Sequence, residues 1–197
     1  MTKEQKKKII IGISGASGAI YGIRALEMLK SFSEVETHLI ISKAAVITIN
    51  HETSYKLEDV IGLADQYYLI SDIGASIASG SFKTHSMLIA PCSIKTMSEI
   101  ACGITSNLMS RAADVVLKEN KKLVLMLRET PLHFGHLSNL TKLSQIGAII
   151  APPVPAFYTL PRNIDDIINH SVARCLDILG FEVDVLKRWQ GLKQSNL

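Results

Sequence analysis

The chain has 197 residues, of which 47% are hydrophobic and 20% charged, with a formal net charge of +3. This length suits one α/β domain, and the positive charge is gathered in residues 3–8 and at Lys187–Arg188, a distribution that does not indicate nucleic-acid binding. The apolar runs are too short to cross a membrane, and the three cysteines lack metal-ligand spacing, so we expect a cytoplasmic protein with free thiols and no signal peptide.

The first predicted elements are a strand over 9–13, a glycine-rich turn and a helix over 19–30. The turn contains Gly12, Gly15 and Gly18, a spacing that differs from the dinucleotide and P-loop motifs. Such a turn presents backbone N–H groups to a phosphate, and the hydroxyls of Ser14 and Ser17 could add donors. It therefore indicates a mononucleotide or other phosphorylated ligand, unless it is only a tight strand-to-helix connection.

A second strand over 36–41 leads into a helix that closes at residues 51–53. Ser42 is a natural N-cap at the point where strand meets helix, so its hydroxyl either caps the helix only or also faces the ligand. Glu52, at the end of this helix, is either solvated or chemically active. A short strand over 67–70 and a small-residue loop or frayed helix over 73–82 follow, and the latter either packs tightly or lets a planar ligand approach.

Two further apolar strands are predicted over 87–90 and 123–127, and their lack of alternation is typical of a buried parallel sheet. The first ends in a turn at 91–96 that opens a helix with free N–H donors, and Cys92 in this turn is interpreted as a small buried hydrophobe. The second delivers Arg128 and Glu129 to the sheet edge. Arginine can clamp a phosphate there, and a glutamate can transfer a proton.

The remaining elements are helices over 107–119, 133–145 and 163–179, with a strand over 148–150. Arg111 and Lys118 lie two turns apart on the first helix and are either ordinary exposed cations or part of a site. Prolines restrict the loop before Tyr158, and Arg174 lies within the last helix. We thus expect a basic lead-in (1–8), one domain (9–180) and a tail (181–197), containing Trp189, that packs at a subunit interface.

Seven motifs now form a recognisable set. They are Gly-Ile-Ser-Gly-Ala-Ser-Gly-Ala-Ile-Tyr-Gly (12–22), Ser-Lys-Ala-Ala (42–45), Ala-Ser-Gly-Ser (78–81), Ala-Pro-Cys-Ser (90–93), Asn-Leu-Met-Ser-Arg-Ala-Ala-Asp-Val-Val-Leu-Lys-Glu (107–119), Arg-Glu-Thr-Pro (128–131) and Pro-Ala-Phe-Tyr (155–158). In this order they closely resemble the UbiX-type flavin prenyltransferases, over nearly the whole chain. The resemblance implies an α/β, three-layer Rossmann-like (flavodoxin-like) fold with a central, mostly parallel sheet.

The resemblance also implies an activity. Reduced FMN would be alkylated at N5 by dimethylallyl phosphate and closed onto C6, releasing phosphate and giving prenylated FMN for UbiD-type decarboxylases. The family needs no metal for this transfer, and the sequence has no Asp-rich motif to hold magnesium. Family members form homododecamers built from trimers, without nucleic-acid or membrane partners.

Family roles carry over to matching positions. FMN would be held by Gly15, Ala16, Ser17, Ser42, Ser93, Ile94, Lys95, Thr96 and Arg128. The prenyl phosphate would be surrounded by Arg111, Lys118, Tyr158 and Arg174. Glu129 would protonate the leaving phosphate, Glu52 would assist proton removal during ring closure, and Ser79 would join the relay, with Lys118 counted among the catalytic groups. Ile73 stands where some members carry an aromatic beside the prenyl pocket.

Two other functions stay open. One is an FMN-dependent decarboxylase of the cysteine-modifying kind, which uses a catalytic histidine and an asparagine-containing turn; here the turn at 91–96 has no asparagine, and His51 is the histidine that would fit. The other is a non-catalytic flavin carrier or decarboxylase subunit. The cations and Glu129 at one predicted strand edge argue against a carrier, because passive binding needs no proton donor.

Overall fold

The computed structural model describes residues 6–186, 188, 189 and 191. Within them the chain forms a six-stranded sheet in the order β3-β2-β1-β4-β5-β6, and every strand pair is parallel. The strands are β1 (Lys7–Ile13), β2 (Val35–Ile41), β3 (Gln66–Leu69), β4 (Ser86–Cys92), β5 (Lys122–Leu127) and β6 (Ala148–Ile150). This is the Rossmann order, with its switch point between β1 and β4, and not the flavodoxin order. The predicted α/β class and parallel sheet are confirmed.

Helices cover both faces of the sheet. They are α1 (Ile20–Leu29), α2 (Lys43–Glu52), α3 (Leu57–Ile61), α4 (Ile94–Ala101), α5 (Leu108–Lys118), α6 (Phe134–Gln145) and α7 (Ile164–Leu179), with short 3₁₀ turns at Ser76–Ala78, Gly80–Phe82 and Phe157–Thr159. Successive side chains of a strand point to opposite faces. Accordingly, Ile9 and Ile11 join the core beneath α1, α2 and α7, while Ile10 joins the core beneath α4, α5 and α6. The fold therefore has the three layers expected.

Most predicted elements are found within two residues of their expected bounds, with two exceptions. The five-residue helix α3 was not predicted, because so short a helix depends on packing, here of the buried Val60, and leaves little periodicity. The lead-in is not merely solvated: β1 begins at Lys7, and the Lys8 ammonium lies 4.2 Å from the Phe82 ring centroid. A lysine stem can cover apolar surface while its charge meets an aromatic face.

Parts of the predicted termini lie outside the described residues. These are residues 1–5 of the lead-in and, in the tail, Lys187, Gln190 and residues 192–197. Among the residues that the structure does describe, none of the helices combines the length and apolar character needed to cross a bilayer.

Candidate functional site

Two cavities open at the carboxyl ends of the strands, around the switch point. The larger, about 480 Å³, extends from the glycine turn to the start of α5, and the smaller, about 410 Å³, reaches the end of β5. They share Gly15, Ser93 and Lys95. Between them they are lined by every residue predicted to hold FMN, namely Gly15, Ala16, Ser17, Ser42, Ser93, Ile94, Lys95, Thr96 and Arg128, and also by Glu129.

The glycine turn is fixed against α2 at two points. A Cβ added at Gly15 would lie 2.3 Å from the Cβ of Ala44, so the turn can approach α2 this closely only with glycine. Gly18 has a φ of +97°, and its N–H donates to Glu52 Oε2 at 2.7 Å. Glu52, the last residue of α2, thus lies beside the turn that was predicted to cradle a phosphate.

Ser14 joins the two turns of the switch point. Its hydroxyl is fully buried, donates to the carbonyl of Pro91 at 2.8 Å and accepts from the N–H of Ser93 at 2.7 Å. The expectation that Ser14 would offer its hydroxyl to a ligand is therefore wrong, because both bonds of that hydroxyl lie within the protein. Its role is to hold the glycine turn and the start of α4 in register.

Two capped helix starts face the larger cavity. Ser42 Oγ accepts from the N–H of Ala45 at 3.1 Å, and Ser93 Oγ accepts from the N–H of Thr96 at 3.3 Å. Both serines are N-caps, as predicted for Ser42, and each helix directs its positive end to the sheet edge. An anionic group would be stabilised there.

Arg128 and Glu129 follow β5 into the smaller cavity. The N–H of Arg128 donates to the carbonyl of Cys92 at 3.0 Å, which extends the sheet edge by one residue. Burial raises the pKa of Tyr21 in α1, and the Arg128 guanidinium partly opposes that increase, so Arg128 is electrostatically coupled to the face of α1. Glu129 Oε1 accepts from the N–H of Thr130 at 2.9 Å. The sequence correctly placed this pair at the edge.

Sequence reasoning missed several residues of the larger cavity. Glu99 accepts from Asn107 Nδ2 at 2.9 Å, and Asn107 in turn caps α5 with its side-chain oxygen. Lys95 Nζ lies 3.7 Å from Glu99 Oε1. The further lining residues are Lys43, Ala44, Ile70 and Met109. The sequence predicted a helix over 107–119, but it gave no sign that the start of this helix borders the same cavity.

A second group of predicted residues lies beside α5. The Nε of Arg111 donates to the carbonyl of Ala78 at 3.2 Å, which ties α5 to the segment that contains Ser79. Lys118 Nζ donates to Glu119 Oε1 at 2.7 Å. A Cβ at Gly80 would lie 2.3 Å from that same oxygen, so the glycine lets the two segments meet. None of Ser79, Arg111 and Lys118 lines the two switch-point cavities as the structure describes them.

A third group contains Tyr158 and Arg174. The Tyr158 hydroxyl lies 3.3 Å from His170 Nε2, and its ring packs edge-to-face on Trp189 with centroids 5.5 Å apart. Arg174 donates to Asp177 at 2.6 Å. These residues are likewise absent from the described lining of the switch-point cavities. Within one chain, the predicted flavin residues line the two switch-point cavities and the predicted prenyl-phosphate residues do not. The roles of both sets stay predictions.

Neither Cys92 nor His51, the histidine that would fit the alternative decarboxylase function, lines the two cavities as described. Cys92 is fully buried, and burial raises the pKa of its thiol to about 12, in agreement with a small hydrophobe. His51 is exposed near the end of α2.

A Rossmann-order sheet whose switch point carries a glycine turn and two capped helix starts defines a protein that binds a phosphorylated cofactor. The family model described as Flavoprotein matches residues 1–176. A flavin prenyltransferase UbiX of Thauera aromatica is 54% identical over 190 residues, 96% of this chain and 97% of the relative. The chain belongs to the flavoprotein family and, within it, to the UbiX-type flavin prenyltransferases.

Two solved structures of related sequence have the same fold. The crystal structure of AnUbiX (PadA1) in complex with FMN and dimethylallyl pyrophosphate superimposes with a TM-score of 0.94 at 43% identity, covering 96% of this chain and 100% of that one. A dodecameric FMN-dependent UbiX-like decarboxylase from Escherichia coli O157:H7 gives a TM-score of 0.92 at 49% identity, covering 93% of this chain and 100% of that one.

Proposed function

We propose that this flavin prenyltransferase joins the dimethylallyl group of dimethylallyl phosphate to N5 and C6 of reduced FMN, without a metal. The observation that carries this proposal is the convergence of every predicted flavin residue on one sheet edge, with the Arg128–Glu129 pair at its border. A site for passive flavin storage would need the cradle, but it would not need a carboxyl group at the cavity wall.

The residues present fit FMN. The backbone of the glycine turn comes close enough to α2 that a Cβ at Gly15 would collide with Ala44, so no side chain separates the turn from α2 at this point. The start of α4 adds further N–H donors for an anion, while Ile70 and Met109 give apolar surface for a flat ring. Reduced FMN, when bound, would supply the nucleophilic atoms of the reaction.

We propose that two carboxyl groups transfer protons. In the donor, the bond between C1 and the phosphate oxygen breaks, and the phosphate leaves with the bonding electrons. We assign Glu129 to donate a proton to that phosphate, and Arg128 beside it to stabilise the anions at this edge. Glu52, bonded to the N–H of Gly18, is assigned to accept the proton released as the new ring closes. Ser79 would relay protons from the α5 side.

The remaining predicted phosphate ligands, three cations and the Tyr158 hydroxyl, are proposed to act from neighbouring subunits. Arg111, Lys118, Tyr158 and Arg174 do not line the cavities of their own chain, so a complete phosphate site calls for more than one copy. The likeness to a dodecameric structure supports this arrangement, and we propose a homododecamer built from trimers, with the tail beyond Gly180 at a subunit interface. Developing charge on the phosphate would then be met by fixed cations in place of a metal.

The test is anaerobic incubation of the protein with dithionite-reduced FMN and dimethylallyl phosphate, followed by mass spectrometry of the extracted flavin. We expect a mass gain of one C5 prenyl unit. A parallel incubation with dimethylallyl diphosphate identifies the preferred donor, and addition of an apo UbiD-type decarboxylase tests whether the product activates it, as we propose.

Glu129→Gln should lower turnover by about 10²-fold or more while leaving FMN affinity unchanged, because general acid catalysis contributes about that much. Glu58→Gln, at an exposed glutamate of α3, is the matched control.

For the wild-type protein, recovery of unmodified FMN despite tight FMN binding would reject the transferase assignment. Carbon dioxide release from a cysteine-containing carboxylic acid would then separate a decarboxylase from a carrier.

A further inference from the structure

The cations predicted to bind the prenyl phosphate share an unexpected feature: each is paired with a carboxylate on its own helix or at that helix's end. The pairs are Arg111–Asp114 at 2.8 Å, Lys118–Glu119 at 2.7 Å and Arg174–Asp177 at 2.6 Å. The first two carboxylates are well exposed, with 38% and 43% of their side-chain surface accessible, whereas that of Asp177 is only 11% accessible. The Arg174 side chain is itself 57% accessible, so it is the carboxylate, and not the guanidinium, that the surrounding protein holds in place.

Asp177 also binds a second guanidinium. Its Oδ2 accepts from Arg174 Nη1, and its Oδ1 accepts from Arg188 Nη2 at 2.5 Å. The hydrogen bonds and charges of the two arginines hold the pKa of Asp177 below its usual value, so the carboxylate stays ionised at neutral pH. Two guanidiniums around one carboxylate leave one net positive charge, so this group still attracts an anion.

Arg188 belongs to the tail, and so does the neighbouring Trp189. The Trp189 ring packs on Tyr158, while the Arg188 guanidinium reaches Asp177. Two consecutive tail residues thus contact the surroundings of two predicted phosphate ligands. Trp189 packs on Tyr158, and Arg188 binds Asp177, the carboxylate that also binds Arg174. Arg174 gives Asp177 one Nη, which leaves its remaining N–H groups available to a phosphate.

We propose that Asp177 is a positioning residue for the donor phosphate. It orients Arg174 and, by binding Arg188, holds the tail against α7 and Tyr158. This inference rests on the proposed function, because it takes Arg174 to be a phosphate ligand. Asp177 itself touches no reacting atom. Its loss should leave Arg174 charged but mobile, which weakens donor binding without changing the chemistry at the flavin edge.

The experiment measures initial rates of the full chain against dimethylallyl phosphate concentration. Asp177→Asn should raise KM for this donor roughly three- to tenfold, with kcat and FMN affinity nearly unchanged. Arg188→Met should raise KM in the same direction, and it keeps the proposal testable if Asp177→Asn does not fold, since Arg188 is exposed. Asp165→Asn is the matched control, because it breaks an ion pair of the same helix with Arg24 at 2.9 Å and should leave KM unchanged.

A double-mutant cycle decides how Asp177 acts. If it works through Arg174, then Arg174→Ala/Asp177→Asn should have the same KM as Arg174→Ala alone. Independent, additive effects would overturn the positioning role, and so would a wild-type KM in Asp177→Asn and Arg188→Met. An unchanged KM in Arg174→Ala would instead refute the assignment of Arg174 under the proposed function, and this inference with it.

Discussion

Replacing Ser14 by alanine should separate the two turns of the switch point. The substitution removes the acceptor of the Ser93 N–H, in a part-buried bond, and one donor to the Pro91 carbonyl, in a buried bond. The carbonyl keeps the backbone N–H of residue 14 at 3.2 Å, so most of the cost falls on the Ser93 N–H. An unsatisfied buried donor costs about 1–3 kcal/mol, and we expect a total loss of about 2–4 kcal/mol.

In a chain of this length such a loss lowers the melting temperature by roughly 5–12 °C. Calorimetry or dye-monitored melting of flavin-free protein, at one fixed protein concentration, measures it. Because the glycine turn and the start of α4 would no longer be held together, FMN affinity should also fall roughly tenfold, as fluorescence titration would report.

Ser31→Ala is the control for this prediction. Its hydroxyl also donates to a backbone carbonyl, that of Met28 at 2.8 Å, but the bond is exposed and its loss should stay within about 0.5 kcal/mol. If the two variants had the same melting temperature, the hydrogen bonds of Ser14 would not stabilise the fold as proposed.

Further predictions follow from packing and burial. Gly15→Ala should abolish FMN binding, because the added Cβ would lie 2.3 Å from α2, whereas Gly12→Ala, with its nearest neighbour at 3.4 Å, should keep it. Burial lowers the pKa of His38 and of His85 in the folded protein. As the pH falls, these histidines therefore bind protons in the unfolded chain at a higher pH than in the folded one. The urea midpoint should therefore fall as pH drops below about 6.5, and less steeply in His38→Asn; an unchanged slope would contradict this. Under native conditions an aromatic disulfide reagent should label Cys102 alone, and Cys102→Ser should leave no reactive thiol, since the other two cysteines are buried.

The sequence predicted what local chemistry determines. The β-branched run at 9–13, the N-cap at Ser42 and the charged pair after 123–127 each fix an element start or end within a few residues, and parallel strands bring these ends to one edge. The error at Ser14 has a physical origin. Whether a hydroxyl faces a ligand or a neighbouring turn depends on Ser93, which lies 79 residues away along the chain, and no local pattern encodes that contact.

The predicted phosphate ligands also depend on contacts that no local sequence pattern encodes. Among the described residues, Arg128 has no carboxylate within ion-pair distance, while Arg111 and Lys118 each face one exposed carboxylate that offsets their charge. The positive field at the flavin edge of a single chain therefore comes from Arg128, from the two helix starts and from Lys43 and Lys95 in the larger cavity, with Lys95 partly offset by Glu99. Exposed pairs are weak, so a phosphate bound between subunits can compete for Arg111 and Lys118. Under the proposed function, assembly would supply the rest of the charge, which would account for why the predicted flavin residues meet within one chain and the predicted phosphate residues do not.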